Sequence, residues 1–303
     1  MGYQQIEASV RSCYATWGET YYENYYGGQA PYPPVHRDIL KNVLYEAQAI
    51  TVLDAGCGPA SFLRELFGTG MDLYGFDLTP EMVAEAQRVF KQNGLQPERV
   101  WQGSVFDQKA FRPPWRRRKK LFDAVVCCGV FPHIPKEADA LVLANLRSAV
   151  KKDGLVAVEA RNQLFALFTL NRYSHDFFLR ELVKQDELEQ QAEEYVHAVR
   201  EACNDLARHF RMDLPPLRKG MQGEPGYDEV LSRTHNPLVL REQFLSAGFR
   251  DIRVLFYHYH CLPPMFESRI PEFFRSQSLA MEDPSDWRGY FMASAFIMTG
   301  RKT

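Results

Sequence analysis

From Ile50 to about Ala160, short apolar runs alternate with amphipathic segments. That alternation is the pattern of strand–helix units wound around a parallel sheet. It predicts strands over 50–54 (ITVLD), 72–76 (DLYGF), 99–102 (RVWQ), 122–128 (FDAVVCC) and 154–159 (GLVAVE). Helices are expected between them at 60–68, 80–93 and 137–150, where residues such as Met82, Ala86 and Phe90 recur at helical spacing. Thr79-Pro80-Glu81 carries the marks of a helix start: a capping residue, a proline at the first position and an acid in the first turn.

Beyond Glu159 the alternation stops for roughly seventy residues. The segment RNQLFALFTLNRYSHDFFLRELV is rich in Phe and Leu, and a long charged helix is expected over 181–211. Its apolar positions Leu188, Ala192, Tyr195, Val199, Cys203, Leu206 and Phe210 form one narrow stripe, suited either to a lid or to a dimer interface. LPPLRKGMQGEPGYDE, broken by Pro and Gly, reads as a loop. Regular structure resumes with a helix in LVLREQFLSAGF and strands in RDIRVLFYHYH and YFMASAFIMTGRK. In the first of these strands Tyr257 and Tyr259 alternate with His258 and His260, so one pair faces inward and the other outward. Three parts follow: an N-terminal helical, aromatic segment (1–45), a core (46–161 with 236–303) and a helical insertion (162–235).

Composition narrows the partners. The chain has 303 residues and a formal net charge of -2, and so lacks the basic footprint of a nucleic-acid binder. Its six cysteines are scattered, with no CxxC pair, which argues against a disulfide framework or a zinc site. No apolar run is long enough to span a membrane and the N-terminus has no apolar signal core, so a cytoplasmic location is expected. Ile6 stands where a myristoylation signal needs Ser or Thr. WRRRKK at 115–120 reads first as a solvated loop, and second as an anion site with Trp115 stacking.

The first strand runs into VLDAGCGPASFL. A glycine-rich strand-to-helix turn lets a ligand approach the backbone closely and presents unpaired N–H groups beyond it. No GxxxxGK occurs, which removes the nucleotide P-loop, and Ser61 stands where a dinucleotide turn has its third glycine. DAGCGPASFL, GFDLTPEMVAEA, GSVFD and FDAVVCCGVFPHI together resemble the class I S-adenosylmethionine (SAM)-dependent methyltransferase family, over roughly residues 50–160. The resemblance implies an α/β fold: a Rossmann-like, seven-stranded, mostly parallel sheet with helices on both faces. The 162–235 insertion then reads as a lid after the fifth strand, and the 1–45 segment as a cover.

SAM carries an ammonium, a carboxylate, a ribose diol and an adenine ring. Asp54 with the backbone of Gly56, Cys57 and Gly58 suits the methionine part, Asp77 the ribose, and Leu78 and Met82 the adenine. The resemblance places Ser104, Val105 and Phe106 at the adenine, although Asp is more usual where Ser104 stands. The segment from Cys128 onward reaches the same sheet edge. Tyr14, Tyr21 and Tyr25 share one face of an N-terminal helix; the resemblance puts Tyr21 at the cofactor and Tyr14 and Tyr25 along the acceptor channel, while the plainer reading is aromatic packing.

His133 in GVFPHIP is the candidate base, since imidazole titrates near neutrality; orienting the backbone is the other reading. Arg161, Asn162, Tyr173 and His235 are candidate acceptor contacts, and no acid accompanies the histidines at metal-ligand spacing. The expected activity is metal-independent methylation of an O, N or C nucleophile on a small molecule with an apolar or aromatic body, releasing S-adenosylhomocysteine (SAH). A sugar, lipid-linked or macromolecular acceptor, and a SAM-binding protein that does not methylate, are the alternatives. A homodimer is a further expectation.

Overall fold

The computed structural model describes residues 2–15, 17–27, 32–115, 120–191, 193–214 and 230–303. The basic run at 116–119, Ala192 of the expected stripe, and all but the first residue of the expected loop at 214–229 lie outside them. Strands β1 (Thr51–Ala55), β2 (Asp72–Asp77), β3 (Val100–Gln102), β4 (Phe122–Cys127), β5 (Val150–Arg161), β6 (Phe249–Tyr259) and β7 (Ala293–Lys302) form one sheet in the order β3-β2-β1-β4-β5-β7-β6. Pairs β1–β2, β2–β3, β1–β4 and β4–β5 are parallel, with Asp54 opposite both Gly75 and Val126. The strand order reverses between β1 and β4, and ligands of such sheets bind outside the carboxyl ends at that point.

The central strands are apolar over the stretches that are buried on both faces. Val52, Leu53, Val125, Val126, Val156 and Val158 are all fully buried. Thirteen helices accompany the sheet among the described residues: α1 (Tyr3–Tyr14), α2 (Gly18–Tyr25), α3 (Val35–Glu46), α4 (Ser61–Arg64), α5 (Pro80–Gln92), α6 (Asp139–Ala149), α7 (Ala166–Thr169), α8 (Arg172–Phe177), α9 (Gln185–Gln191), α10 (Val196–Leu206), α11 (Pro237–Ser246), α12 (Pro271–Ala280) and α13 (Gly289–Met292). In α5 the buried face is Met82, Val83, Ala86, Val89 and Phe90, and Glu85 is held there by Arg64 and Arg88. Thr79 occupies the N-cap position, but its side chain makes no capping bond; the Asp77 carboxylate accepts from Thr79 N instead, at 2.8 Å.

The chain forms two compact units. The first comprises Met1–Arg161, Leu217–Leu255 and Phe296–Thr303; the second comprises Asn162–Pro216 and Phe256–Ala295. The second therefore takes in the stretch between the last two strands with the strand ends that flank it, and residues 230–235, expected in the insertion, belong with the first unit. The expected long helix at 181–211 is broken: a π-helical turn at Phe178–Val183 ends at left-handed Lys184, followed by α9 and α10. Among the described positions of its expected stripe only Cys203 is buried, while Leu188 and Tyr195 are exposed. In the same unit Tyr257 and Tyr259 face inward, and the Tyr259 hydroxyl donates to the carbonyls of Asp283 and Asp286.

Candidate active site

The turn after β1 is shaped by backbone. Gly56, Gly58 and Ala60 all have positive φ (88°, 52° and 63°), and the N–H groups of Gly56 and Cys57 donate to Phe76 O at 2.8 and 3.0 Å. A Cβ on Gly56 would lie 2.2 Å from Val130 Cγ2, so the loop after β4 can close on the turn only over a glycine. A Cβ on Gly58 would meet nothing within 4 Å, leaving open space on its ligand side.

Two acids stand at the tips of β1 and β2. Asp77 accepts from Gly58 N through Oδ2 and from Thr79 N through Oδ1, both at 2.8 Å, which ties the two turns together. Burial pushes its carboxyl up, against the pull of those N–H donors. Asp54 is buried, and its Oδ1 has no hydrogen-bond partner among the described residues. Burial, then the charge of Asp77, push it up to about 8. An orphaned buried carboxyl beside a glycine cradle is what a cationic ligand would satisfy. Cys57 is buried, with Sγ turned to Gly58 O at 3.5 Å, and contributes its backbone. Met82 is buried and Leu78 half-buried in the following turn.

Glu159, not singled out from the sequence, closes the apolar run of β5. Its Oε2 accepts from Gly129 N at 2.7 Å. Half-buried Cys128 and Tyr26 ionise with difficulty, first through desolvation and then through nearby charge, that of Glu159 and Asp54 for Cys128 and that of Cys128, Glu159 and Asp54 for Tyr26. The legible signal was an acid ending a strand that is otherwise wholly apolar.

Helix α1 is fastened at both ends. At its start Tyr3 stacks on Phe106, with ring centres 4.8 Å apart, and the Glu7 carboxylate accepts from the Ser104 hydroxyl. Ser104 also accepts from Phe106 N at 3.0 Å, and Asn145 Nδ2 holds the carbonyl of Val105 at 3.0 Å. At its far end the Tyr14 hydroxyl meets His133 Nε2 at 3.0 Å. Its 12 residues span about 18 Å, so one helix joins the loop after β3 to the loop after β4. Trp17, Tyr21 and Tyr25 gather beside Tyr14, with Tyr21 and Tyr25 4.6 Å apart. The Tyr21 hydroxyl lies 3.6 Å from where a Cβ on Gly129 would stand.

His133 sits in a single turn of 3-10 helix, Phe131–His133, and is buried. Its Nδ1 bonds Leu231 O at 2.7 Å. Burial, helped by the charge of Arg161 and opposed by the Leu231 bond, brings it down to about 4, so it is neutral at pH 7.

The remaining candidates divide. Arg161 bonds the Ser232 hydroxyl, and its carbonyl accepts from His235 N at 2.7 Å. His235 is buried against Phe131 and 3.8 Å from Asp139. Asn162 and Tyr173 belong to the second unit. The Asn162 amide donates to the carbonyls of Gly289, Tyr290 and Ala293 and accepts from Leu164 N, so its side chain is consumed inside the second unit. The Tyr173 hydroxyl accepts from Arg172 at 3.0 Å. All six cysteines are free thiols. Among the described residues no group of three His, Cys, Asp or Glu side chains is placed to hold a metal ion, and no helix is long and apolar enough to cross a membrane.

Comparison with known proteins agrees with this geometry. A family model described as a methyltransferase domain matches residues 52–154, which contain both acids, the glycine turn and His133. Over these residues the chain carries a methyltransferase domain. The chain is similar to ubiquinone biosynthesis O-methyltransferase of Xanthomonas euvesicatoria, 29% identical over 139 residues, covering 46% of this chain and 54% of that one. The protein of that name from Actinobacillus pleuropneumoniae is 23% identical over 133 residues, covering 44% and 55%. The chain thus spans about half the length of the curated relatives it matches. Magnesium protoporphyrin IX methyltransferase from Synechocystis PCC 6803, solved with bound SAH, aligns with 98% of this chain and 100% of its own at a TM-score of 0.51 and 15% identity, a likeness of fold.

Proposed function

We propose that the chain transfers the methyl group of SAM to a nucleophile on a small molecule with an apolar or aromatic body, without a metal. The O-methyltransferase names of its relatives favour an oxygen on a hydroxylated ring. Bound SAM supplies an electrophilic methyl carbon whose bond to sulfur breaks, with its electron pair, as the new bond forms. Asp54 would hold the methionine part, Asp77 the ribose, and Leu78, Met82 and the Ser104–Phe106 loop the adenine; the N–H groups of Gly56, Cys57 and Gly58 are taken by Phe76 O and Asp77, so the glycine turn would give the ligand room and not donors.

One observation carries the reading: a neutral imidazole at the same sheet edge, with a phenol hydroxyl on its free nitrogen. Leu231 O can only accept, so the His133 proton is on Nδ1 and the Nε2 lone pair faces Tyr14. As the acceptor oxygen bonds to the methyl carbon it becomes strongly acidic, so a base as weak as His133 suffices. The proton leaves the acceptor oxygen for Tyr14 while the Tyr14 proton moves to Nε2. The aromatic cluster of Trp17, Tyr21 and Tyr25 offers the acceptor a flat apolar wall and keeps out water.

His133→Gln should lower kcat about 100-fold or more with saturating acceptor, the usual yield of a positioned base. Tyr14→Phe should lower it by a smaller factor, with cofactor affinity little changed in either variant. Undiminished turnover in His133→Gln would remove the base from the mechanism.

A further inference from the structure

His133 is oriented from a distant part of the chain. Leu231, 98 residues on, places its carbonyl 2.7 Å from Nδ1. A neutral imidazole has one N–H, and which nitrogen carries it is fixed by the partner of the other. The lone pair therefore faces Tyr14 only while residues 230–236 stay where they are.

What keeps them there is an arginine fork. Arg233 donates to both oxygens of Asp139, at 3.0 and 2.8 Å, and its Nη1 also reaches Ile134 O at 2.5 Å. Its backbone N–H donates to Pro132 O at 2.7 Å, two residues from Arg233's other carbonyl partner and next to His133 itself. Asp139 opens α6 and is 2% exposed, whereas the Arg233 side chain is 19% exposed. Burial alone would raise the Asp139 carboxyl, but His235 and Arg233 together hold it below the usual range. Val230 is buried at one end of the segment, and His235 N is anchored to Arg161 O at the other. A planar guanidinium can bind a carboxylate and a carbonyl at once; a lysine ammonium lacks that fixed fork.

We propose that Arg233 and Asp139 are positioning residues: their paired side chains clamp residues 230–236 across Phe131–His133 and so keep the Leu231 carbonyl on Nδ1 and the Nε2 lone pair on Tyr14. Its consequence for turnover rests on the reading of His133 as the proton acceptor. The tautomer itself is measurable without turnover.

Nitrogen-15 chemical shifts of the His133 ring, by long-range proton–nitrogen correlation, test it. The wild-type protein should show one neutral tautomer, protonated on Nδ1; an Nε2-protonated or exchanging ring overturns the proposal before any variant is made. Arg233→Lys should bring in the other tautomer and lower kcat at least 10-fold while KM for SAM moves less than threefold. Because a lone buried carboxylate can unfold a protein, the paired variant Arg233→Met with Asp139→Leu removes both charges together. It should show the same mixed tautomers with a cooperative thermal transition. A folded variant of either kind whose His133 stays wholly Nδ1-protonated contradicts the clamp. The two readings part cleanly: full turnover in His133→Gln with a shifted tautomer in Arg233→Lys sinks the base and keeps the clamp. The opposite pattern keeps the base and sinks the clamp.

Discussion

At the scale of single residues, the site's most unusual group is Asp54. Its carboxyl is buried, lacks a partner on Oδ1 and is pushed up to about 8, so the empty protein holds a proton there at pH 7. An ammonium placed beside it favours the charged form and pulls the pKa down, so binding should release that proton. Titration of SAH at pH 7 in buffers of different ionisation enthalpy should show release of up to one proton, falling toward zero above pH 9. No dependence on buffer would mean that the ligand does not reach Asp54. His133 sets the acid side: with its pKa brought down to about 4, the acid limb of kcat/KM should fall near pH 4 to 5 and not near 6.5. Asp54, Asp77 and His133 were legible because each ends a strand or follows one in a motif. Leu231 and Arg233, which orient His133, were not, because a contact across about 100 residues leaves no local pattern.

At the scale of elements, short apolar runs and period-3.6 patterns place the first five strands and the helices between them within a few residues. Buried parallel strands must be apolar throughout, and their crossover helices must bury one stripe. The glycine turn was legible for the same reason: positive φ and close approach exclude most side chains. Gly56→Ala should strain the backbone at φ 88° and press on Val130 Cγ2, at a cost of about 1–3 kcal/mol in stability, with loss of SAH affinity. Val130→Ala added to it should recover part of the melting temperature, since it removes the clash but not the strain. Equal melting temperatures for wild type and Gly56→Ala would contradict that geometry. The hydroxyl of Ser104 is engaged by Glu7 of α1 and by Phe106 N, and the motif position signals the second, local bond but not the first, made 97 residues away. The expected helix over 181–211 failed near its start because nothing in the spacing of apolar residues signals that the backbone at Lys184 turns left-handed.

At the scale of the whole molecule, the sequence separated a regular α/β portion from an irregular one but misjudged the boundary. Phe256–Ala295 joins Asn162–Pro216 in the second unit, and the buried fork of Arg233 on Asp139 ties the end of the expected insertion to the first. Folding units are set by which buried groups meet, and a reading along the chain registers only neighbours. Every functional assignment above depends on one ligand resting between the tips of β1 and β4. Calorimetric titration of the purified chain with SAH, and in parallel with NAD and ATP, tests this most directly. SAH should saturate a single site while NAD and ATP give no heat; saturation by NAD or ATP with no heat from SAH would contradict it.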